Sequence, residues 1–250
     1  MSIQAEIDNI FAKDPAARSK AEVLLCYPGL HAILIQRFTH KLWQTTNPTA
    51  RLVARAICQI GRFITGIEIH PGARIGARVF IDHGAAVVVG ETAEVGDDCV
   101  IYQGVTLGAQ AAARMGAASR DKKRHPTLGK AVIVGSGAQV LGSITVGANA
   151  QIASGSIVVK EVPENSVVVG VPGRMIMRDG LKVQDPMPDI EAEAIKALRD
   201  RTIMLERQIA RLNLALKNSS PEPFDATPPV VPGAGMSSDP VDVFLHGAGI

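Results

Sequence analysis

An aliphatic residue returns at every sixth position through the middle of this chain, a period that suits neither an amphipathic helix nor an alternating strand. The first run is Ile69, Ile75, Ile81 and Val87, and after a two-residue shift it continues as Val95, Ile101 and Leu107. Leu128, Val134, Val140, Val146, Ile152 and Val158 then keep the same step. Glycine often follows the aliphatic residue, as in Ile75-Gly76, Val95-Gly96, Leu128-Gly129 and Val146-Gly147. Six-residue repeats of this kind predict a parallel β-helix. Each unit is a short strand plus a corner, three units close one coil of a triangular prism, and one aliphatic side chain per unit points inward. Glycine relieves the corners, where backbone angles closed to bulky residues are expected. A narrow prism has room for Ile, Val and Leu and little for rings, in agreement with a chain that is 46% hydrophobic and 4% aromatic.

The repeat divides the 250 residues into four expected parts. Residues 1–64 read as several short helices: Leu24, Leu30, Ile33, Leu34, Phe38, Leu42, Val53, Ile57 and Ile60 recur at three- and four-residue spacings, with breaks at Pro15, Pro28-Gly29 and Asn47-Pro48. The β-helix spans 65–175, with a polar, small-residue loop at 109–127. An amphipathic helix follows over 186–217, where Ile195, Leu198, Thr202, Leu205, Ile209, Leu212 and Leu216 form a heptad seam with one polar member; self-association of that seam is expected. Residues 218–250, rich in Pro, Gly and Ser, read as a flexible tail.

A net charge of +2 argues against a nucleic-acid partner, which calls for a concentrated basic face. The N-terminus lacks the basic start and apolar stretch of a signal peptide, and no apolar run approaches the ~18 residues of a membrane span. A cytoplasmic location without membrane association is expected. Cys26, Cys58 and Cys99 are odd in number and widely spaced, and read as reduced, mostly buried thiols.

Three histidines, His70, His83 and His125, lie in or beside the repeats. Histidine titrates near neutral pH, and a carboxylate beside it fixes its tautomer and supports its protonated form. Glu68 and Asp82 are the nearby acids. Sequence alone leaves open which of them touches His83. The run Asp121-Lys122-Lys123-Arg124 reads by composition as a solvated loop face.

Several motifs come in a fixed order: Asp14-Pro15-Ala16-Ala17, Ile67-Glu68-Ile69-His70-Pro71, Ile81-Asp82-His83-Gly84, Gly90-Glu91-Thr92, Val105-Thr106-Leu107-Gly108, Arg124-His125-Pro126 and Gly170-Val171-Pro172-Gly173-Arg174. In this order they resemble the bacterial serine O-acetyltransferases, over about Asp14 to Arg174. The resemblance implies an α+β fold: a helical N-terminal segment, a left-handed parallel β-helix, then a C-terminal helix and flexible tail. It implies transfer of acetyl from acetyl-CoA to L-serine, giving O-acetyl-L-serine for cysteine synthesis, with acetyl-CoA as co-substrate and no metal or other cofactor. Homotrimers or dimers of trimers are implied, with active sites in the clefts between neighbouring prisms.

Carried over residue by residue, the resemblance makes His83 the general base, oriented by Glu68, where the family usually has Asp. Asp14 and Asp82 hold the serine ammonium, and Arg124 and His125 its carboxylate, which suits a planar guanidinium fork. Gly108, Ala109, Ser136 and Ser154 fall where the family binds acetyl-CoA. The family pattern Gly-Gly-Thr-Gly-Lys is replaced after Gly108 by Ala109-Gln110-Ala111-Ala112-Ala113 and a longer loop. L-Cysteine is implied as a feedback inhibitor. The Gly249-Ile250 ending resembles the family tail that enters O-acetylserine sulfhydrylase, with Ile250 as the partner-binding residue. Rival readings are a hexapeptide acetyltransferase for homoserine or a sugar hydroxyl, a γ-type carbonic anhydrase using three histidines for metal, and a structural scaffold.

Overall fold

The computed structural model describes residues 2–110, 116–120, 122–183 and 190–219. Four helices come first: α1 (Ile3–Lys13), α2 (Lys20–Cys26), α3 (Pro28–Trp43) and α4 (Pro48–Thr65). Their starts follow from local chemistry. Ser2, Ser19 and Asn47 cap α1, α2 and α4 through side-chain oxygens that accept otherwise orphaned backbone N–H groups, and Pro opens both α3 and α4. Gly66, with φ of 71°, ends α4 in the left-handed conformation.

The prism is built from two- and three-residue strands. One face stacks β1 (Glu68–Ile69), β4 (Val88–Val89), β7 (Thr106–Gly108), β10 (Gln139–Leu141) and β13 (Ile157–Val158). The second stacks β2 (Arg74–Ile75), β5 (Glu94–Val95), β8 (Thr127–Leu128) and β11 (Thr145–Val146). The third stacks β3 (Phe80–Ile81), β6 (Val100–Ile101), β9 (Ile133–Val134), β12 (Gln151–Ile152) and β14 (Ser166–Val169), and is extended by antiparallel β15 (Arg174–Arg178) and β16 (Leu181–Lys182). Every pairing between coils is parallel and in register, as at Val89↔Leu107 and Val140↔Val158. A short 3₁₀ turn, Gly116–Ser119, lies between β7 and β8.

Every aliphatic residue of the repeat is buried or, for Ile75, packed half-buried against the core. The interior also takes a second residue per unit, two positions earlier: Ile67, Ala73, Val79, Val87, Ala93, Cys99, Val105, Val132, Ala138 and Ala150 are all at 2% exposure or less. Val87 therefore belongs to this second, mostly smaller set, and Val89 holds the inward strand position. Fully burying a Val, Ile or Leu contributes about 1.5–3 kcal/mol, so the column of side chains outweighs any single polar contact. Cys99 fills one of the small positions, and burial pushes its thiol up to about 11. Cys58 is half-buried, but Cys26 is exposed, contrary to the expectation of burial.

The glycines after the aliphatic residues answer a different need from the one expected. Gly76, Gly96, Gly129 and Gly147 stack in a column in which a Cβ on each would lie 2.4–2.7 Å from backbone of the next coil. Close approach, not backbone angle, excludes a side chain there. Left-handed corner positions are instead taken by residues such as Arg78, His83, Asp98 and Asn149.

Among the described residues, 2–183 form one compact unit and 190–219 a second. In the second, α5 (Ile190–Ser219) is a 30-residue helix. Along its seam Leu198, Leu205, Ile209, Leu212 and Leu216 are 49–66% exposed. No described helix is long and apolar enough to cross a membrane.

Candidate active site

The corner from the third face to the first carries Asp82 and His83, and it is enlarged. Twenty residues separate Ile69 from its register partner Val89, against eighteen from Val89 to Leu107. The two extra residues explain the shift in the repeat and lie between Ile81 and Val88. His83 adopts φ of 58°, a conformation that costs a non-glycine residue about 1–3 kcal/mol and recurs at functional sites. Its side chain is 73% exposed, so a substrate can reach it, and Nε2 lies 3.9 Å from Asp82 Oδ1.

The helical flank brings a second carboxylate to this corner. Asp14 follows the last residue of α1. Its Oδ1 accepts from Ala16 N at 2.7 Å and its Oδ2 from the Tyr27 hydroxyl at 2.5 Å. The Tyr27 hydrogen bond, then that of Ala16, holds the Asp14 carboxyl below its usual range, with a further contribution from the nearby His83. Burial, then the Asp14 hydrogen bond, pushes the Tyr27 phenol up, and the charge of Asp82 acts in the same direction. Asp14, Tyr27, Asp82 and His83 thus form one electrostatic cluster. Tyr27 carries no motif signal in the sequence.

Glu68 begins β1, beside this corner, but its carboxylate pairs with Arg62 of α4 at 3.0 Å. Among the described residues no hydrogen bond or ion pair joins Glu68 to His83, the contact implied for a catalytic dyad. The long arginine at the end of α4 reaches the same carboxylate and takes it.

The corner from the first face to the second holds the other half of the motifs. Thr92 Oγ1 accepts from the backbone N–H groups of Arg124 (3.0 Å) and His125 (3.1 Å), so it organises both residues. His125 Nδ1 accepts from Thr92 N at 3.2 Å and lies 2.9 Å from Thr92 Oγ1. An imidazole that accepts at Nδ1 carries its proton on Nε2 when neutral, leaving an N–H free to donate. Burial, then Arg124, lowers the His125 pKa to about 4, so the ring is neutral at pH 7. Its ring lies directly over Gly90, where a Cβ would be 2.0 Å from Cδ2. The Arg124 guanidinium pairs with Glu91 and also donates to the carbonyls of Ser119 and Arg120 at 3.2 Å. A cavity of about 410 Å³ opens here, lined by Trp43, Arg74, Glu91, Thr92, Glu94 and Lys123 among others. Lys123, on the exposed loop, donates its ammonium to Thr92 O and pairs with Glu94.

His70 stands apart from this chemistry. Its Nδ1 accepts from Gly72 N at 3.0 Å, its ring meets Trp43 edge-on at 4.9 Å, and burial lowers its pKa to about 4. It packs the corner as a neutral ring. Among the described residues no group of three or more His, Cys, Asp or Glu could hold a metal ion.

The residues expected to meet acetyl-CoA fall on the same two corners. Ser136 and Ser154 lie one coil apart on the His83 corner, with Ser136 Oγ donating to Ser154 Oγ at 3.1 Å. Gly108 ends β7 on the Arg124 side, its carbonyl accepting from Gly142 N at 3.0 Å, and Ala109 follows it. Within one chain the first face separates Asp14, Asp82 and His83 from Arg124 and His125. The structure gathers the expected site residues into these two groups and does not bring the groups together in one chain.

A hexapeptide β-helix with a reachable imidazole on one corner and a half-buried arginine beside a buried histidine on the next has the architecture of the hexapeptide-repeat acyltransferases. No family model matches the chain. It is 47% identical over 255 residues to the serine acetyltransferase of Synechococcus elongatus, covering 100% of this chain and 99% of that protein. Synechocystis sp. serine acetyltransferase is 50% identical over 215 residues, 84% of this chain and 82% of that protein. The crystal structure of Neisseria gonorrhoeae serine acetyltransferase matches with a TM-score of 0.65 at 36% identity, over 72% of this chain and 66% of that one. Solved serine acetyltransferases also include complexes with serine, cysteine and CoA. The chain belongs to the serine acetyltransferase family.

Proposed function

We propose that this serine acetyltransferase, which moves acetyl from acetyl-CoA to the L-serine hydroxyl, works through His83 as general base. Serine's hydroxyl is a weak nucleophile at neutral pH. His83 removes its proton as the oxygen attacks the thioester carbonyl; the tetrahedral intermediate then collapses, the C–S bond breaks, and His83 returns the proton to the departing CoA thiolate. In this reading backbone N–H groups near Gly108 stabilise the oxyanion. Asp14 and Asp82 receive the ammonium, while Arg124 and the Nε2–H of His125 receive the carboxylate. Ser136 and Ser154 line the path of CoA, with Gly108 and Ala109 on the opposite wall.

The observation that supports this reading is the grouping of polar residues on two corners: Asp14 and Asp82 beside His83 on one, and Arg124, paired with Glu91, beside neutral His125 on the next. A homotrimer in which neighbouring prisms set one corner against the other completes the site. Exposed apolar residues on α4, Leu52, Ile60, Phe63 and Ile64, and the heptad pattern of α5 support association with further copies. Zwitterion recognition favours serine over a sugar acceptor. L-Cysteine, equally zwitterionic, is proposed as a competing ligand and feedback inhibitor. Ile250, outside the described residues, is proposed to dock into O-acetylserine sulfhydrylase through its terminal carboxylate; unchanged binding after its deletion would remove that proposal. A cytoplasmic location fits this metabolic role. CoA-thiol release from acetyl-CoA with serine, homoserine or a simple sugar tests the assignment beside His83→Ala. Release with serine, abolished in the variant, is expected; serine-dependent release that survives His83→Ala would remove His83 as the base.

A further inference from the structure

We infer that Tyr27 is a positioning residue for the serine ammonium, acting by fixing the Asp14 carboxylate against Asp82. The inference rests on the assignment of Asp14 to the ammonium site. Asp14 lies on the short link between α1 and α2, where no regular structure orients a side chain. Two hydrogen bonds hold its carboxylate, one on each oxygen: Ala16 N–H and the Tyr27 hydroxyl. The first is local and moves with the link. The Tyr27 bond ties Asp14 to another element.

Tyr27 is itself anchored. It is the N-cap residue of α3, and its ring packs half-buried against the cluster of Ile7, Ile10, Val23, Leu30 and Phe80. Two residues on, Gly29 seats α3 directly on the prism, since a Cβ there would lie 2.1 Å from the Ile81 carbonyl oxygen. Ile81 immediately precedes Asp82. A short, stiff path therefore runs from Asp82 through Ile81 and Gly29 to Tyr27 and across the hydroxyl to Asp14. It sets the spacing of two carboxylates from different parts of the chain, which a loop alone would leave variable. Burial and Asp14 keep the phenol protonated, so Tyr27 serves as a fixed donor and not as an acid or base.

The test uses Tyr27→Phe in the full chain, assayed by CoA-thiol release. Losing a hydrogen bond to a charged group is expected to raise the KM for serine about tenfold and to weaken cysteine inhibition by a similar factor. The kcat and the KM for acetyl-CoA are expected to stay within about twofold. In an Asp14→Asn background the same change is expected to add little, because the donor has lost the charge it orients. An unchanged KM for serine, a full multiplicative loss in the Asp14→Asn background, or an equal rise in the KM for acetyl-CoA that marks general disruption would each overturn the assignment. A wild type without serine-dependent release would instead overturn the reading of the site on which it rests.

Discussion

Replacing Gly90 with Ala should disable serine recognition while sparing the fold. Gly90 N donates to Leu107 O at 3.0 Å and sits at the end of β4, so the backbone can accept Ala without conformational strain. The added Cβ, however, falls 2.0 Å from His125 Cδ2 and 2.1 Å from Nε2, whereas ordinary contact begins at 3.4 Å. The ring must withdraw by about 1.4 Å, enough to break its bonds to Thr92 and carry Nε2 away from the substrate carboxylate; misplacement on this scale lowers rates by about 10²-fold. Overpacking of this kind costs about 1–3 kcal/mol, and at about 2–4 °C per kcal/mol for a chain of this size Tm falls by several degrees without collapse. Steady-state CoA release against serine and acetyl-CoA, with calorimetry on the same samples, measures both. A kcat/KM for serine within about threefold of wild type would refute the placement of His125.

Acid should weaken the fold through His70 and His125. Burial lowers the pKa of both rings to about 4 in the folded chain, whereas the unfolded chain protonates them near ~6.5. Between these values the unfolded state binds more protons, so stability present above about pH 6.5 is lost as pH falls toward about 4. A Tm that holds level or rises over that descent would contradict this, and His70→Phe should flatten the slope. Glu68→Gln is expected to lower kcat about tenfold to a hundredfold if Glu68 leaves Arg62 to orient His83 during turnover; an unchanged kcat assigns it to the ion pair alone. Leu205→Glu combined with Ile209→Glu on α5 should shift subunit dissociation to higher protein concentrations in sedimentation velocity, and an unaltered profile would show that the seam does not hold copies together.

The prism is legible in the sequence because one period governs it: an inward aliphatic every sixth residue, broken only at the enlarged His83 corner and at the loop before Arg124. The second buried column is harder to see, since Ala73, Ala93, Cys99 and Ala138 are small and carry little hydrophobic contrast. The glycine column is legible by position but not by cause, because close backbone approach is a property of stacked coils and not of the local chain. Within the site, Gly90-Glu91-Thr92 and Arg124-His125 announce themselves as motifs, and the stacking of coils explains their adjacency. Tyr27 stays hidden because its role depends on where Gly29 seats α3. Glu68 shows the limit from the other side: its motif suggests a partner for His83, yet Arg62, six residues earlier, competes for the same carboxylate.

The most direct test of a site divided between copies is complementation. A His83→Ala chain and an Arg124→Ala/His125→Ala chain, carrying different tags, are co-expressed and the mixed oligomers are purified through both tags. Each variant alone should be inactive with serine. A closed trimer that carries both chains has about one cleft in three with both halves intact, so the mixed oligomers should recover about that fraction of wild-type CoA release. Mixed oligomers as inactive as their parents would contradict a serine site built from two chains.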